Sequence, residues 1–332
     1  MLRSEMGDDP ARIAAALSGL RAYQTAARPP SLPPPPVIGR VGRASLRDYG
    51  GDGPPVVFVP SLINPSSILD LDAERSLLRW LAARGGMRPM LVDWGSPRGD
   101  ERARDIGGHV ADLLLPLLDV LDEPPILAGY CLGGTMALAA AALRKPRALA
   151  LIATPWRFAG FGPETAAALA ALWEQARDPA DGLGLMPMEV LQAAFWQLDP
   201  RRTLAKFERF GAQTRDDTAV RSFVAVEDWA NDGPPLTFAA ARELMEDLFA
   251  ADLPGRGSWQ VGGRSIDPRT IDVPVLEIVS TTDRIVPAAA AAGIGEQLPL
   301  ALGHVGMIVG GRARTAAWEP LARWLSRTIS SC

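Results

Sequence analysis

Only two cysteines and two histidines occur in this sequence, so the nucleophilic and acid–base chemistry it can support is narrow. Cys131 stands in Ala128-Gly129-Tyr130-Cys131-Leu132-Gly133-Gly134-Thr135. An apolar run, 125–128, leads into it and an alanine-rich run, 136–143, leads out. This reads as a strand, a sharp turn and a helix, with a thiol at the tip. Side chains flanking so tight a turn would collide with their neighbours, which accounts for Gly129, Gly133 and Gly134. A helix starting just after Cys131 directs its positive end at the sulfur, favouring a thiolate and any oxyanion formed beside it. The plainer reading is a buried cysteine beside a tight turn. It is outweighed because the whole six-residue pattern sits in the strand–helix context the chemistry requires.

A thiol nucleophile needs a base, and the base needs a group to orient it. His304 lies in Leu302-Gly303-His304-Val305-Gly306, after the last expected strand. His109 falls in the middle of an amphipathic helix and is expected to be a surface or packing residue. Asp283, in Ser280-Thr281-Thr282-Asp283-Arg284-Ile285-Val286-Pro287, follows a strong strand and precedes His304. It would hold the imidazole tautomer and stabilise the imidazolium. It could equally cap a helix beginning near Pro287, and the two roles are compatible. Asp267 and Asp272 sit on the wrong side of that strand. The expected catalytic set is therefore Cys131, Asp283 and His304. Their order along the chain, with the elbow at the nucleophile, is that of an α/β-hydrolase. The oxyanion hole is expected to use the backbone N–H of Leu132 and one from the loop Pro60-Ser61-Leu62-Ile63-Asn64, assigned to Leu62. Neither a metal nor an organic cofactor is expected.

These residues need a scaffold. Short apolar runs at 56–59, 90–94, 148–153 and 273–280 read as buried strands, and 45–49 as an edge strand. Helical patterns at 77–83, 105–121 (with a kink at Pro116), 287–298 and 318–329 alternate with them. The alternation implies a mostly parallel central sheet with helices on both faces. It stops between 155 and 263, where helices are expected at 165–177, 187–196, 201–210, 221–229 and 238–249. This stretch is read as an inserted helical cap over the sheet edge where ligands bind. Five tryptophans, Trp156, Trp173, Trp196, Trp229 and Trp259, fall there and are taken as its own core. Residues 1–38 form an N-terminal arm: a helix with Ile13, Leu17 and Leu20 on one side, then an extended proline-rich spacer at 28–36. The core is thus expected at 39–154 and 264–332, and the cap at 155–263.

A chain of 332 residues can hold one large α/β domain with an insertion. A net charge of −4 and the lack of any lysine- or arginine-rich block argue against nucleic acid. The first residues are too polar for a secretory leader, and charge interrupts every apolar run well before ~20 residues, so no transmembrane helix is expected. Two cysteines give no disulfide framework, and Cys332 is read as a solvated bystander. A reducing cytoplasm suits a working thiol.

From about residue 54 to 326 the chain resembles the polyhydroxyalkanoate synthases, most closely the short class that works with a second subunit. The likeness is carried by Val59-Pro60-Ser61-Leu62-Ile63-Asn64, Val92-Asp93-Trp94-Gly95-Ser96-Pro97 and the cysteine box from Gly129 to Thr135. It continues in Glu227-Asp228-Trp229-Ala230-Asn231-Asp232 and in Gly262-Gly263-Arg264. Asp283 and His304 fall on the family's acid and base. The chain departs from the pattern at Arg284, where many members have histidine, and at Pro60-Ser61, where many have two prolines. The large N-terminal domain of the long synthases has no counterpart. The resemblance implies transfer of a 3-hydroxyacyl group from coenzyme A to Cys131 and then to a hydroxyl, building a polyester. It also implies a homodimer or a second synthase subunit as partner, and a cytoplasmic location at the surface of polymer granules. The elbow also looks like that of the compact dienelactone hydrolases, so a Cys-dependent ester or thioester hydrolase is the alternative. The intact triad argues against a non-catalytic granule subunit.

Overall fold

The computed structural model describes residues 9–28, 32–192, 200–212 and 217–331. Trp196 and Cys332 lie outside them. Eight strands form the central sheet: β1 Val37–Val41, β2 Ala44–Asp48, β3 Pro55–Val59, β4 Arg88–Asp93, β5 Ile126–Tyr130, β6 Ala148–Ile152, β7 Val275–Ser280 and β8 Glu296–Leu300. Their order is β1-β2-β4-β3-β5-β6-β7-β8. The first two junctions are antiparallel and all the others parallel. Every residue of β3, β5 and β6 is buried, as expected of parallel strands covered on both faces.

Alternate residues face opposite layers. Val57 and Val59 of β3 join the cluster built with Val110, Leu114 and Met136, whereas Val56 and Phe58 join Leu78, Leu81 and Leu325. The chain opens with α1 Pro10–Thr25, and the helices covering the sheet include α2 Leu77–Arg84, α3 (Ile106–Gly108, His109–Leu114 and Leu115–Leu118 run together) and α4 Leu132–Leu143. The insertion between β6 and β7 supplies α5 Pro163–Leu183, α6 Pro200–Ala212, α7 Asp217–Ala230 and α8, composed of Phe238–Arg242 and Glu243–Ala250. The last helix is α9 Glu319–Ser330. None of the helices among the described residues is long and apolar enough to cross a membrane.

Four local expectations are corrected. The edge of the sheet on this side is β1, which straddles the boundary drawn at 38 between arm and core, so the strand expected at 45–49 becomes the second from the edge. The kink at Pro116 appears as a wider helical segment, His109–Leu114, just ahead of the proline. A proline lacks the N–H for the ordinary bond and presses on the preceding turn, and a wider turn relieves both.

The stretch 287–298 is not a helix. Only Ala288–Ala290 makes a helical turn, and β8 begins at Glu296. Gly293 and Gly295 adopt φ of 74° and 68°, which breaks any helix there. The fully buried Glu277 of β7 holds the broken segment. Its carboxylate accepts N–H bonds from Ala292 at 2.7 Å, Gly293 at 2.8 Å and Ile294 at 3.2 Å.

The face of α1 also differs. Ala16 and Gly19 are buried, whereas Leu17 and Leu20 are 47% and 36% exposed. Gly19 allows the backbones of α1 and α6 to touch: a Cβ there would lie 1.8 Å from the Phe207 carbonyl oxygen. Arg12 pairs with Glu208 at 3.1 Å, and the Tyr23 hydroxyl donates to Asp228 at 2.6 Å. Small residues therefore seat α1 on the inserted helices.

Candidate active site

Cys131 links β5 to α4 with φ 56° and ψ −131°, a conformation that a residue with a side chain adopts only under strain. The surrounding glycines make it attainable. A Cβ on Gly129 would lie 2.4 Å from the Gly134 Cα, and one on Gly133 would lie 2.1 Å from the Val59 carbonyl oxygen. Both contacts are to backbone and cannot be relieved by a rotamer. Gly133→Ala is therefore expected to push the loop after β3 away from the elbow. Thermal melting should show a folded but less stable protein, and turnover should fall by about 100-fold, more than the loss of stability explains.

The loop 60–65 is clamped from two directions. The Trp94 Nε1–H donates to the Pro60 carbonyl at 3.0 Å, and the Trp229 Nε1–H donates to the Pro65 carbonyl at 2.8 Å. Both tryptophans belong to motifs whose purpose is not evident in the sequence. Between the clamps, Ser61 and Ile63 face the space in front of Cys131, and Leu62 lies buried between them. Leu132 is the first residue of α4, so its N–H has no partner within the helix.

Asp283 and His304 come together at the ends of β7 and β8. His304 Nδ1 lies 2.7 Å from Asp283 Oδ2, and both residues are buried. The other oxygen, Asp283 Oδ1, accepts from the N–H groups of Ile285 at 2.7 Å and Val286 at 3.1 Å. Asp283 thus caps a tight turn rather than a helix, and that turn aims its free oxygen at the imidazole. The base loop is tied to the acid strand by the Ser280 hydroxyl, which donates to the Leu302 carbonyl. His304 and Cys131 line the same cavity. Burial favours the neutral imidazole, but the charge on Cys131 and the hydrogen bond to Asp283 outweigh it and raise the His304 pKa to about 10.

Tyr130 is a residue that sequence reasoning missed. Its ring stacks on His304 with centroids 5.0 Å apart, and its hydroxyl donates to the His304 carbonyl at 3.3 Å. Its place next to the nucleophile was the only signal. Asp272 pairs with Lys145 and Asp267 with Arg269, both at the surface.

His109 is not at the surface. It is 1% exposed, accepts from Arg43 at 2.6 Å and has its Nδ1 2.6 Å from the Asp105 carbonyl. Burial lowers its pKa to about 3, assisted by Arg43 and Arg104 and opposed by the Asp105 carbonyl. A histidine depressed in the folded state takes up its proton more readily in the unfolded chain. Its stabilising contribution is whole above the ordinary 6.5 and is lost as pH falls towards 3. Urea midpoints should therefore drop between pH 6.5 and 4, and His109→Gln should be less stable at pH 7 yet show a shallower drop.

Two cavities meet at Cys131. One, of about 230 Å³, is mixed in character and includes Ser61, Asn64, Gln192, Lys206, Trp229 and His304. The Lys206 ammonium pairs there with the buried Glu227 at 2.6 Å. The other, of about 310 Å³, is largely apolar. Among the described residues no group of three or more His, Cys, Asp or Glu is placed to hold a metal ion.

The fold is that of the α/β-hydrolase class. The chain superposes on the monoacylglycerol lipase of Paleococcus ferrophilus over 86% of its length and 99% of that chain, with TM-score 0.52 and 15% identity. It superposes on a candidate lipase of Sulfolobus solfataricus over 86% and 89%, with TM-score 0.55 and 16% identity. At such identity the likeness concerns the fold alone. In sequence the chain is homologous to curated poly(3-hydroxyalkanoate) polymerases. It is 28% identical to the polymerase subunit PhaC of Allochromatium vinosum, over 82% of this chain and 80% of that protein. It is 27% identical to the subunit of Haloferax mediterranei, over 82% of this chain but 58% of that protein. The corresponding protein of Haloarcula marismortui is likewise spanned over 60% of its length. No family model matches the chain.

Proposed function

We propose that this chain is a polyhydroxyalkanoate synthase-type acyltransferase that polymerises 3-hydroxyacyl-coenzyme A through an acyl thioester on Cys131. The observation that carries the reading is the strained Cys131 facing one cavity with a buried His304 that Asp283 orients. The homology to the polymerase subunits supports the choice of substrate.

In the first half-reaction the Cys131 thiolate attacks the thioester carbonyl, with the N–H groups of Leu132 and a residue of the 60–64 loop facing the oxyanion. The carbon–sulfur bond to coenzyme A breaks, and the departing thiolate takes the proton of the His304 imidazolium. In the second, His304 removes the proton from the hydroxyl of another 3-hydroxyacyl unit or of the growing chain. That oxygen displaces Cys131, which leaves as thiolate, and an ester bond forms. Asp283 holds Nδ1 throughout, so Nε2 faces the reaction. Thioester exchange is close to balanced in energy, whereas ester formation runs downhill. The inserted helices keep water from the acyl-enzyme. On this reading residues 155–263 form a cap, a second subunit or second copy is the expected partner, and the enzyme works in the cytoplasm at the surface of its insoluble product.

The test follows both products of one reaction. Purified protein is given a 3-hydroxyacyl-coenzyme A, thiol release is followed with a dye, and the acyl product is analysed. Polyester formed in step with thiol release supports the assignment. Release of free 3-hydroxy acid alone would replace it with a thioester hydrolase.

A further inference from the structure

The two cavities at Cys131 differ in chemistry, and an acyl group on the sulfur must send its branches into different spaces. Ile63, Cys131 and Ile285 border both. The larger cavity is walled by Phe158, Phe161, Leu169, Leu244, Met245 and Phe249, from α5, α8 and the turn Phe158–Phe161. Its polar members are Thr165 and the exposed Arg284. Three of the phenylalanines contact one another: Phe158 and Phe249 at 5.0 Å, Phe161 and Phe249 at 4.9 Å. This makes a stiff aromatic wall.

Coenzyme A carries amides and phosphates, which lose hydrogen bonds if buried among such residues. The mixed cavity, with Asn64, Gln192 and Lys206, suits that part of the substrate. The growing polyester carries an ester carbonyl in every unit, which would lose hydrogen bonds among these residues. A hydrocarbon branch has no such bonds to lose. At about 310 Å³ the cavity is roughly twice the ~150 Å³ apolar cavity known to accept benzene.

The geometry points to the larger cavity as the site for the alkyl substituent on C3 of the acyl group, making this a catalyst for medium-length 3-hydroxyacyl thioesters rather than 3-hydroxybutyryl alone. The assignment rests on the acyl-transfer reading for its substrate, but the cavity itself can be probed without it. Each methylene buried there should strengthen binding roughly fourfold. Part of that gain is lost to ordering of the chain.

Two measurements separate the questions. In the first, Cys131 is alkylated by iodoacetamide and by N-hexyl iodoacetamide. The sulfur displaces iodide in both, forming a carbon–sulfur bond, and mass spectrometry reports the modified residue. The hexyl reagent should react at least tenfold faster with Cys131. Leu169→Trp, which fills the cavity from a half-buried position on α5, should cut that ratio at least fivefold. Phe161→Ala, which widens it, serves if Leu169→Trp does not fold, and should raise the preference for an octyl over a hexyl reagent. In the second, kcat/KM is compared for 3-hydroxybutyryl- and 3-hydroxyoctanoyl-coenzyme A, with at least a tenfold advantage expected for the latter. A reagent ratio near one, or equal slowing of both reagents by Leu169→Trp, overturns the cavity assignment even if both thioesters are polymerised. A high ratio with no turnover of either thioester upholds the cavity and overturns the acyl-transfer reading instead.

Discussion

Exchange of Cys131 for alanine is expected to lower thiol release from a 3-hydroxyacyl-coenzyme A by about 10⁴-fold or more while leaving the fold intact. Without the sulfur no acyl-enzyme can form, and the remaining N–H groups and imidazole contribute only binding and charge stabilisation. Alanine also tolerates the φ of 56° at this position no worse than cysteine does, so the elbow keeps its shape. The check is thiol release measured together with the melting temperature. Retention of more than a tenth of the activity would remove Cys131 from the centre of the chemistry. It would also leave the strain at this residue without a catalytic purpose.

Asp283→Asn is the second large effect. The asparagine oxygen can still accept from the Ile285 and Val286 N–H groups, so the turn should persist. Its amide then faces His304 Nδ1 as a donor, where the carboxylate accepts. The imidazole is driven to the tautomer that carries its proton on Nε2, towards Cys131, and can no longer take one there. A loss of roughly 10³- to 10⁴-fold in kcat is expected, with KM little changed. The substitution also removes one of the causes that raise the His304 pKa, so alkylation of Cys131 should slow in parallel. A variant that kept full activity, or one that failed only by unfolding, would reduce Asp283 to a turn-forming residue.

Much of this site is legible in the sequence because its constraints are local. The three glycines stand within three residues of Cys131, although only Gly129 answers to the turn itself, while Gly133 makes room for the Val59 carbonyl and Gly134 for Thr154. Chain order then restricts the acid and base, with only two histidines to choose from. The central strands are equally readable, since burial on both faces demands unbroken apolar runs.

Other features depend on residues far apart in the chain. The alanine-rich stretch after Pro287 has helical propensity, yet Glu277 takes its N–H groups and β7 claims the next residues as a partner strand. The apolar stripe of α1 points outward because Gly19 gives a closer fit to α6 than Leu17 or Leu20 can. His109 is held neutral by burial among distant parts of the chain, assisted by Arg43 from the turn between β1 and β2.

The same division holds at the site itself. Local sequence singled out Cys131, His304 and Asp283 as the candidate nucleophile, base and acid, since each sits in a turn whose shape its neighbours dictate. Tertiary structure alone decided how they are held: Tyr130 stacked on His304, and Trp94 and Trp229 fastening the two ends of one loop. It also decided that an apolar space opens on one side of Cys131 and a mixed one on the other. A cavity is what side chains from separate elements leave unfilled, and no single stretch of sequence carries it.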